Sequence, residues 1–285
     1  MSWGPRCPGL LRIILLILVV RPAAAHFAAA EAAEQRGDLA TAYQACKTDA
    51  EAGDARCQNY LGVMSKRGRR VAQDAAEAVR LFRRAAVQGL AVAQYNLGHA
   101  YAAGRGVRKN PAEASRWYRM AAEQGDPAAQ NALAILDATG RGVLRDPEAA
   151  LALFRRAATN GYALAQLNLA VAFEDGRLMP RDPLRAYIWY SIAARLAPDQ
   201  TLRDKAAQGR DRLMQKISLL EIEAGGVAAR SWDPGQPRSR RSSSGARALG
   251  QPIAKWRAAE LGGLRIYRQS HWGRPHQPPC RRRLP

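Results

Sequence analysis

The sequence predicts an all-α protein, a solenoid of helix-turn-helix repeats followed by a disordered basic tail. Three observations carry this. The stretch Ala91 to Asp126 (AVAQYNLGHAYAAGRGVRKNPAEASRWYRMAAEQGD) has similar text 36 residues before it and again 36 and 72 residues after it. Leu61, Leu97, Leu133 and Leu169 share one position of that period, Gly68, Gly104, Gly140 and Gly176 a second, and Gly53, Gly89, Gly125 and Gly161 a third. A fixed period of about 20 to 50 residues marks stacked units, none of which buries its apolar face alone. Alanine is abundant and β-branched residues are sparse between positions 26 and 234, which favours helix over strand. The net charge of +20 is uneven: residues 235 to 285 carry +11 and residues 1 to 25 carry +3, which leaves +6 for the body between them. The basic character belongs mostly to the tail, so the body is not read as a specific nucleic-acid binder.

Residues 1 to 25 read as a signal peptide. Arg6 and Arg12 precede the apolar run Ile13 to Val20, and Arg21-Pro22 and Ala23-Ala24-Ala25 follow it, giving a cleavage position after Ala25. The run is shorter than the about 20 apolar residues that a spanning helix needs. The mature chain is therefore expected in the periplasm or secreted, with no transmembrane span. Cys7 leaves with the peptide.

Residues 26 to 54 read as an N-terminal capping hairpin, with a helix over 29–36 and a partner from Leu39 to Ala52. Four full units follow at 55–90, 91–126, 127–162 and 163–198. In each, the first helix carries small residues and leucine at helical spacing, such as Ala93, Leu97 and Tyr101. Gly62, Gly98, Ala134 and Ala170 share a position where a small side chain lets the partner helix come close. The loop Gly-Arg-Gly-Val, at Gly104–Val107 and Gly140–Val143, turns the chain with two glycines able to take positive φ, and its valine plugs the gap between helix ends. The second helix opens at an N-cap (Asp74, Asn110, Asp146 or Asp182), with proline next in three units (Pro111, Pro147, Pro183). Asp74 with Glu77, and Asn110 with Glu113, have capping-box spacing. Its apolar face is Leu81-Phe82, Trp117-Tyr118, Leu153-Phe154 and Trp189-Tyr190, backed by alanine pairs such as 121–122, and Gly89, Gly125 and Gly161 close it. Residues 199 to 234 read as C-terminal capping helices, Leu202 to Met214 and Leu219 to Arg230, the second interrupted at Gly225-Gly226. Residues 235 to 285 hold dispersed Pro, Gly and Arg, including Ser239–Gly245 (SRRSSSG), and read as disordered.

The pattern A-x-x-x-L-G-x-x-Y-x-x-G-x-G-V, then D/N-x-x-x-A, then W-Y/F-x-x-A-A-x-x-G, resembles the Sel1-like repeat, a relative of the tetratricopeptide repeat. The resemblance spans Ala55 to about Pro198 and implies a right-handed α–α superhelix. Two units depart from it: Arg70 stands for the second loop glycine and Lys66 for the usual aromatic in the first, and Leu178-Met179 replaces Gly-Val in the fourth, where a looser or differently turned loop is expected. The resemblance implies an exported bacterial adaptor without catalytic activity, binding a peptide or protein partner such as a sensor kinase or polysaccharide-export component. By analogy with the tetratricopeptide register, its concave groove is lined by Arg56, Asn59, Lys66, Val92, Tyr95, His99, Asn131, Leu164, Leu167 and Glu174. An alternative is a hydrolase acting on cell-wall peptides or β-lactams, and another is weak binding of an anionic surface through residues 235 to 285.

No catalytic residue, cofactor site or metal site is expected. G-x-S-x-G, H-E-x-x-H, a Walker loop and S-x-x-K are absent, and no C-x-x-C occurs. His99 is the one histidine within the repeats. Cys46 and Cys57 flank the turn at Gly53. In antiparallel neighbours their offset is about 3 Å along the axes, inside the about 7 Å that a disulfide tolerates between Cα atoms. Two readings stand: a bridge stapling the end of the solenoid, or two buried thiols.

Overall fold

The computed structural model describes residues 23 to 234, with side chains from Phe27 onward. Residues 1 to 22 of the expected signal peptide, with Cys7, and the basic tail, with Cys280, lie outside the described residues. Every regular element described is an α-helix: α1 (Ala23–Gln35), α2 (Leu39–Ala52), α3 (Ala55–Arg67), α4 (Ala75–Val87), α5 (Ala91–Ala103), α6 (Pro111–Glu123), α7 (Pro127–Thr139), α8 (Pro147–Thr159), α9 (Ala163–Asp175), α10 (Pro183–Leu196), α11 (Gln200–Met214) and α12 (Leu219–Arg230). The first helices of the four units, α3, α5, α7 and α9, each hold 13 residues and begin 36 residues apart. The described residues divide into two compact units, with the boundary between Leu153 and Phe154 inside α8.

In the first unit each helix from α1 to α6 packs on the next. The core is made of alanines around a few large groups: Phe82 among Ala78, Ala85, Ala86 and Ala93, then Tyr118 among Ala114, Ala121, Ala122 and Ala129. Alanine brings helix axes close, and the rings fill what remains. Gly62 and Gly98 mark close approaches, where an added Cβ would stand 2.7 Å from the Phe82 ring and 2.8 Å from the Tyr118 ring. Of the expected apolar pairs, the second members Phe82, Tyr118, Phe154 and Tyr190 are all buried; of the first members Leu81 and Trp189 are buried too, while Trp117 and Leu153 stay half-buried. Val107 and Val143 pack against the cores beside their loops.

Four buried glutamines add a polar thread. The Nε2 groups of Gln58, Gln94, Gln130 and Gln166 donate to the carbonyls of Ala50, Ala86, Ala122 and Ala158, at 3.0 to 3.2 Å. Each thus joins its helix to the last turn of the helix before it, where carbonyls lack intrahelical partners. Gln88 and Gln124 complete the first two by donating to the Oε1 of Gln58 and Gln94. Later in the register Asn160 and Leu196 replace these donors, and the Oε1 atoms of Gln130 and Gln166 accept no hydrogen bond.

In the second unit α10 packs on α9, α11 and α12. Gly209 of α11 lies under the Tyr190 ring and Gly225 of α12 under the Tyr187 ring. This corrects one expectation: α12 runs unbroken through Gly225-Gly226, because close packing on Tyr187 offsets glycine's helix penalty of about 1 kcal/mol. Arg195 fastens the end of this cap by donating to the carbonyls of Ala229 and Trp232.

Helix ends follow the expected residues with two differences. Asp74, Asn110, Asp146 and Asp182 each accept from a backbone N–H of the next turn. The reciprocal halves of the two expected capping boxes are not formed, since Glu77 pairs with Arg80 and Glu113 with Arg116. A complete box is formed at Ser218 and Glu221. Helix α1 already includes Ala23, ahead of the expected Ala29, because nothing in AAAHFAAA interrupts a helix. In the loops, Arg70 takes φ +68°, the glycine conformation it stands in for. The fourth loop keeps Gly176 at φ +73° but has no second left-handed residue, so it is turned differently, with Arg177 N–H donating to Asp175.

Gly106 and Gly125 separate backbone strain from steric need. Both have positive φ, but a Cβ on Gly106 would run into the Ala75 carbonyl, whereas one on Gly125 meets open space. Gly125→Ala should therefore lose about 1 kcal/mol of stability, and Gly106→Ala about 2 to 4 kcal/mol. Urea unfolding midpoints of the two variants check this; equal losses would contradict the loop packing.

Candidate protein-binding face

The first helix of each repeat presents one face away from its partner, and four repeat positions define it. They are Arg56, Val92, Ala128 and Leu164; Asn59, Tyr95, Asn131 and Leu167; Val63, His99, Ile135 and Val171; and Lys66, Ala102, Ala138 and Glu174.

On the first unit, Arg56 lies over the Phe27 ring at 5.1 Å and 3.7 Å from the Asp54 carboxylate, so it belongs as much to the N-terminal hairpin as to an open face. Asn59 accepts from Asn96 at 2.9 Å. Tyr95 stacks at a tilt on Tyr118, centroids 5.8 Å apart, and His99 lies 6.3 Å from Tyr95. Asn131 is buried rather than presented. Val92 is 42 % exposed and Ile135 39 %. On the second unit, Leu164 is 38 % exposed and Val171 42 %, while Leu167 is half-buried. Glu174 is engaged within the unit, accepting from Tyr190 Oη at 2.6 Å and from Arg212 of α11 at 3.3 Å. The residues predicted from sequence thus separate. Val92, Tyr95, His99 and Leu164 stand on the face, and Arg56, Asn59, Asn131 and Glu174 help hold the scaffold.

Ile135 and Val171 were missed, and the period could have found them. They stand 36 and 72 residues after His99, and reading that position along the register would have marked an apolar stripe. The opposite, second-helix surface differs in chemistry. There Arg80, Arg83, Arg116 and Arg119 are exposed, with Arg80 and Arg116 paired to acids on their own helices.

Electrostatics on the face centre on His99. Burial is the main cause that lowers its pKa below the ordinary 6.5, and the Lys66 and Arg105 cations lower it further. Lys66 itself is lowered, first by burial and then by Arg105 and Arg67. Burial raises the hydroxyls of Tyr95 and Tyr118. Among the described residues no group of three His, Cys, Asp or Glu side chains is placed to hold a metal ion. No described helix is long and apolar enough to cross a membrane.

Because His99 binds protons less well folded than unfolded, it lowers stability in acid, and that loss fades as pH rises from the folded pKa to 6.5. The imidazole NMR titration in the folded chain should therefore have its midpoint below 6.5, and Lys66→Met should move it upward. A midpoint unmoved by that substitution would mean that Lys66 does not act on the ring.

The Sel1 repeat model matches residues 55–90, 91–126, 127–162 and 163–198, which together span half of the chain. A search of curated proteins gives no match. Among solved structures, the chain is similar to c5321, described as a protective antigen present in uropathogenic Escherichia coli strains and displaying an SLR fold. It is 23% identical, with a TM-score of 0.67, over 91% of this chain and 51% of that one. The chain thus spans about half the length of that protein. A Sel1 repeat protein from Oxalobacter formigenes is 24% identical, with a TM-score of 0.53, over 85% of this chain and 100% of that one. At these identities the likeness is one of fold. Repeats of this kind are generally non-catalytic helical scaffolds that bind proteins. With four consecutive repeats matched and their helices laid out at the same spacing, the chain belongs to the Sel1 repeat family.

Proposed function

We propose that this chain is a non-catalytic adaptor of the bacterial periplasm that binds a protein or peptide segment on the first-helix faces of its repeats. The observation that carries this is the recurrence of exposed apolar side chains at two repeat positions, Val92 and Ile135 in the first unit, Leu164 and Val171 in the second. Apolar residues scattered singly on a surface mean little. Here they stand on the first helices within each unit, accompanied in the first unit by Tyr95, a residue type favoured in recognition. An amphipathic or extended segment laid on such a face of either unit gains from apolar anchors.

Export rests on the charged, apolar and small-residue succession of residues 1 to 25. The cysteine geometry supports it. Cys46 and Cys57 are paired, both buried, with Cα atoms 4.9 Å apart. In an oxidising compartment this pair forms a bridge that holds α2 to α3 at the end of the repeat array, where fraying starts. A non-reducing thiol count on the exported protein should find neither cysteine reactive. Reduction should lower the unfolding free energy by about 2 to 3 kcal/mol for so short a loop. Two titratable thiols besides that of Cys280 would remove this support.

Binding is tested with photo-crosslinking side chains placed singly at Ile135, at Val171 and, on the second-helix surface, at Arg116. The same envelope protein should be captured from Ile135 and Val171 and not from Arg116. Capture equal at all three positions, or at none, would reject the first-helix face.

A further inference from the structure

The last described residues are fastened beside the first-helix face of the second unit. After α12 the chain returns to α10. There the Trp232 ring meets the buried Trp189 ring edge-on, centroids 6.0 Å apart, and Arg195 donates to the Trp232 carbonyl at 2.7 Å. Pro234 then lies on Gly161, where an added Cβ would stand 3.1 Å from the proline ring. At the equivalent glycines Gly53, Gly89 and Gly125 an added Cβ meets nothing within 4 Å. The covered turn is thus the one that leads into α9.

Leu164 stands in the first turn of α9, directly after that covered turn. It is 38 % exposed and Val171 42 %, with half-buried Leu167 between them. The three form an apolar stripe about 10 Å long. Helix α9 (ALAQLNLAVAFED) holds no cation that would oppose a basic segment. The chain beyond Pro234 therefore starts at one end of this stripe. Its residues 235 to 285 carry +11, and their apolar side chains gather from Ile253 to Tyr267, at Ile253, Trp256, Leu261, Leu264, Ile266 and Tyr267. Ile253 follows Pro234 by roughly 20 residues, and a coil of that length has a root-mean-square reach of about 25 Å. An α-helix the length of α9 measures about 20 Å. A tether whose reach matches the span holds its segment at an effective concentration of about 1 mM, so a segment with a Kd of about 100 µM is bound in about nine chains of ten.

We propose that residues 253 to 267 of the same chain dock on the Leu164–Leu167–Val171 stripe of α9 and occupy it until a partner displaces them. The inference rests on the reading of the first-helix faces as binding surfaces, and names the occupant of the second unit's face before a partner arrives. Trp256 and its apolar neighbours supply the contact, and the fastening of Trp232 and Pro234 fixes where the tether begins. A partner then competes with a tethered ligand. Its apparent affinity falls by the ratio of all chains to open ones, about tenfold.

The test uses the purified full chain with no partner added. A photo-crosslinking side chain at Val171 should join to residues 253 to 267, and one at Ala152, an exposed position of α8, should not. Mixing nitrogen-15-labelled with unlabelled chains identifies the donor: joined peptides of one isotope only come from the same molecule, and mixed ones mean that a second copy supplies the segment, which overturns the proposal. Crosslinks from Val171 to other parts of the chain, or none, overturn it as well. Ile253→Ser, Trp256→Ser and Leu261→Ser together lie outside the repeats and should abolish the crosslink at an unchanged melting temperature. A labelled peptide of residues 253 to 267 should bind that triple variant about tenfold more tightly than the unsubstituted chain. Equal affinity for both, or binding to neither, contradicts a tethered occupant. Capture of an envelope protein at Ile135 and Val171 without the internal crosslink would leave the adaptor reading standing and remove only the docked segment. The internal crosslink without such capture would do the reverse.

Discussion

A helix pair of 36 residues cannot bury its own apolar stripe, and much of this protein's structure follows from the way neighbouring helices close over it. Closure requires that helices approach until alanine faces alanine, with aromatic rings filling the remaining space. Phe82, Tyr118, Phe154 and Tyr190 recur at one position of the period, and Gly62 and Gly98 give two of them room. Because large aliphatic groups are few in these cores, stability is spread over many small contacts. The buried glutamines add direction to this packing. Each ties its helix to a last-turn carbonyl of the preceding helix, so neighbouring helices are fixed in register as well as pressed together.

Ends are the weak points of any array, and each end is built differently. At the N-terminal end, α1 and α2 are joined to the repeats by the paired Cys46 and Cys57, by Arg69 on Glu34 and by Arg84 on the Ala50 carbonyl. At the C-terminal end, α11 and α12 lie on α10, with glycines under Tyr190 and Tyr187 and with Arg195 holding the last carbonyls. The same C-terminal packing supplies Arg212 to Glu174, which changes a residue expected in the groove into a structural one.

Function in a scaffold of this kind resides in what the repeat does not need. The architectural positions recur because packing demands them. The open first-helix positions vary from apolar to aromatic to charged: Val63, His99, Ile135 and Val171 share one site of the period. In the binding proposed above the apolar members would supply contact area, and area alone is a weak discriminator.

The helical class, the unit boundaries near each glycine and most N-caps were legible in the sequence, because they depend on local chemistry repeated at fixed spacing. Asp74 caps wherever its neighbours take helical angles, and Gly125 turns left because nothing else does so easily. Three features were not legible. The path of α12 through Gly225-Gly226 depends on Tyr187, nearly forty residues away in sequence and against it in space. The partners of Glu77 and Glu113 were decided by competition between a backbone N–H and an arginine one helical turn further on. The division of the ten expected groove residues into presented and engaged ones depended on neighbours from other helices: Phe27 at Arg56, Asn96 at Asn59, Arg212 at Glu174. The sequence by itself determined which residues repeat, and therefore which helices form and where they end, since those are short-range matters. Only tertiary structure decided which side chains remain free to meet a partner, because accessibility is set by the residues that packing brings alongside.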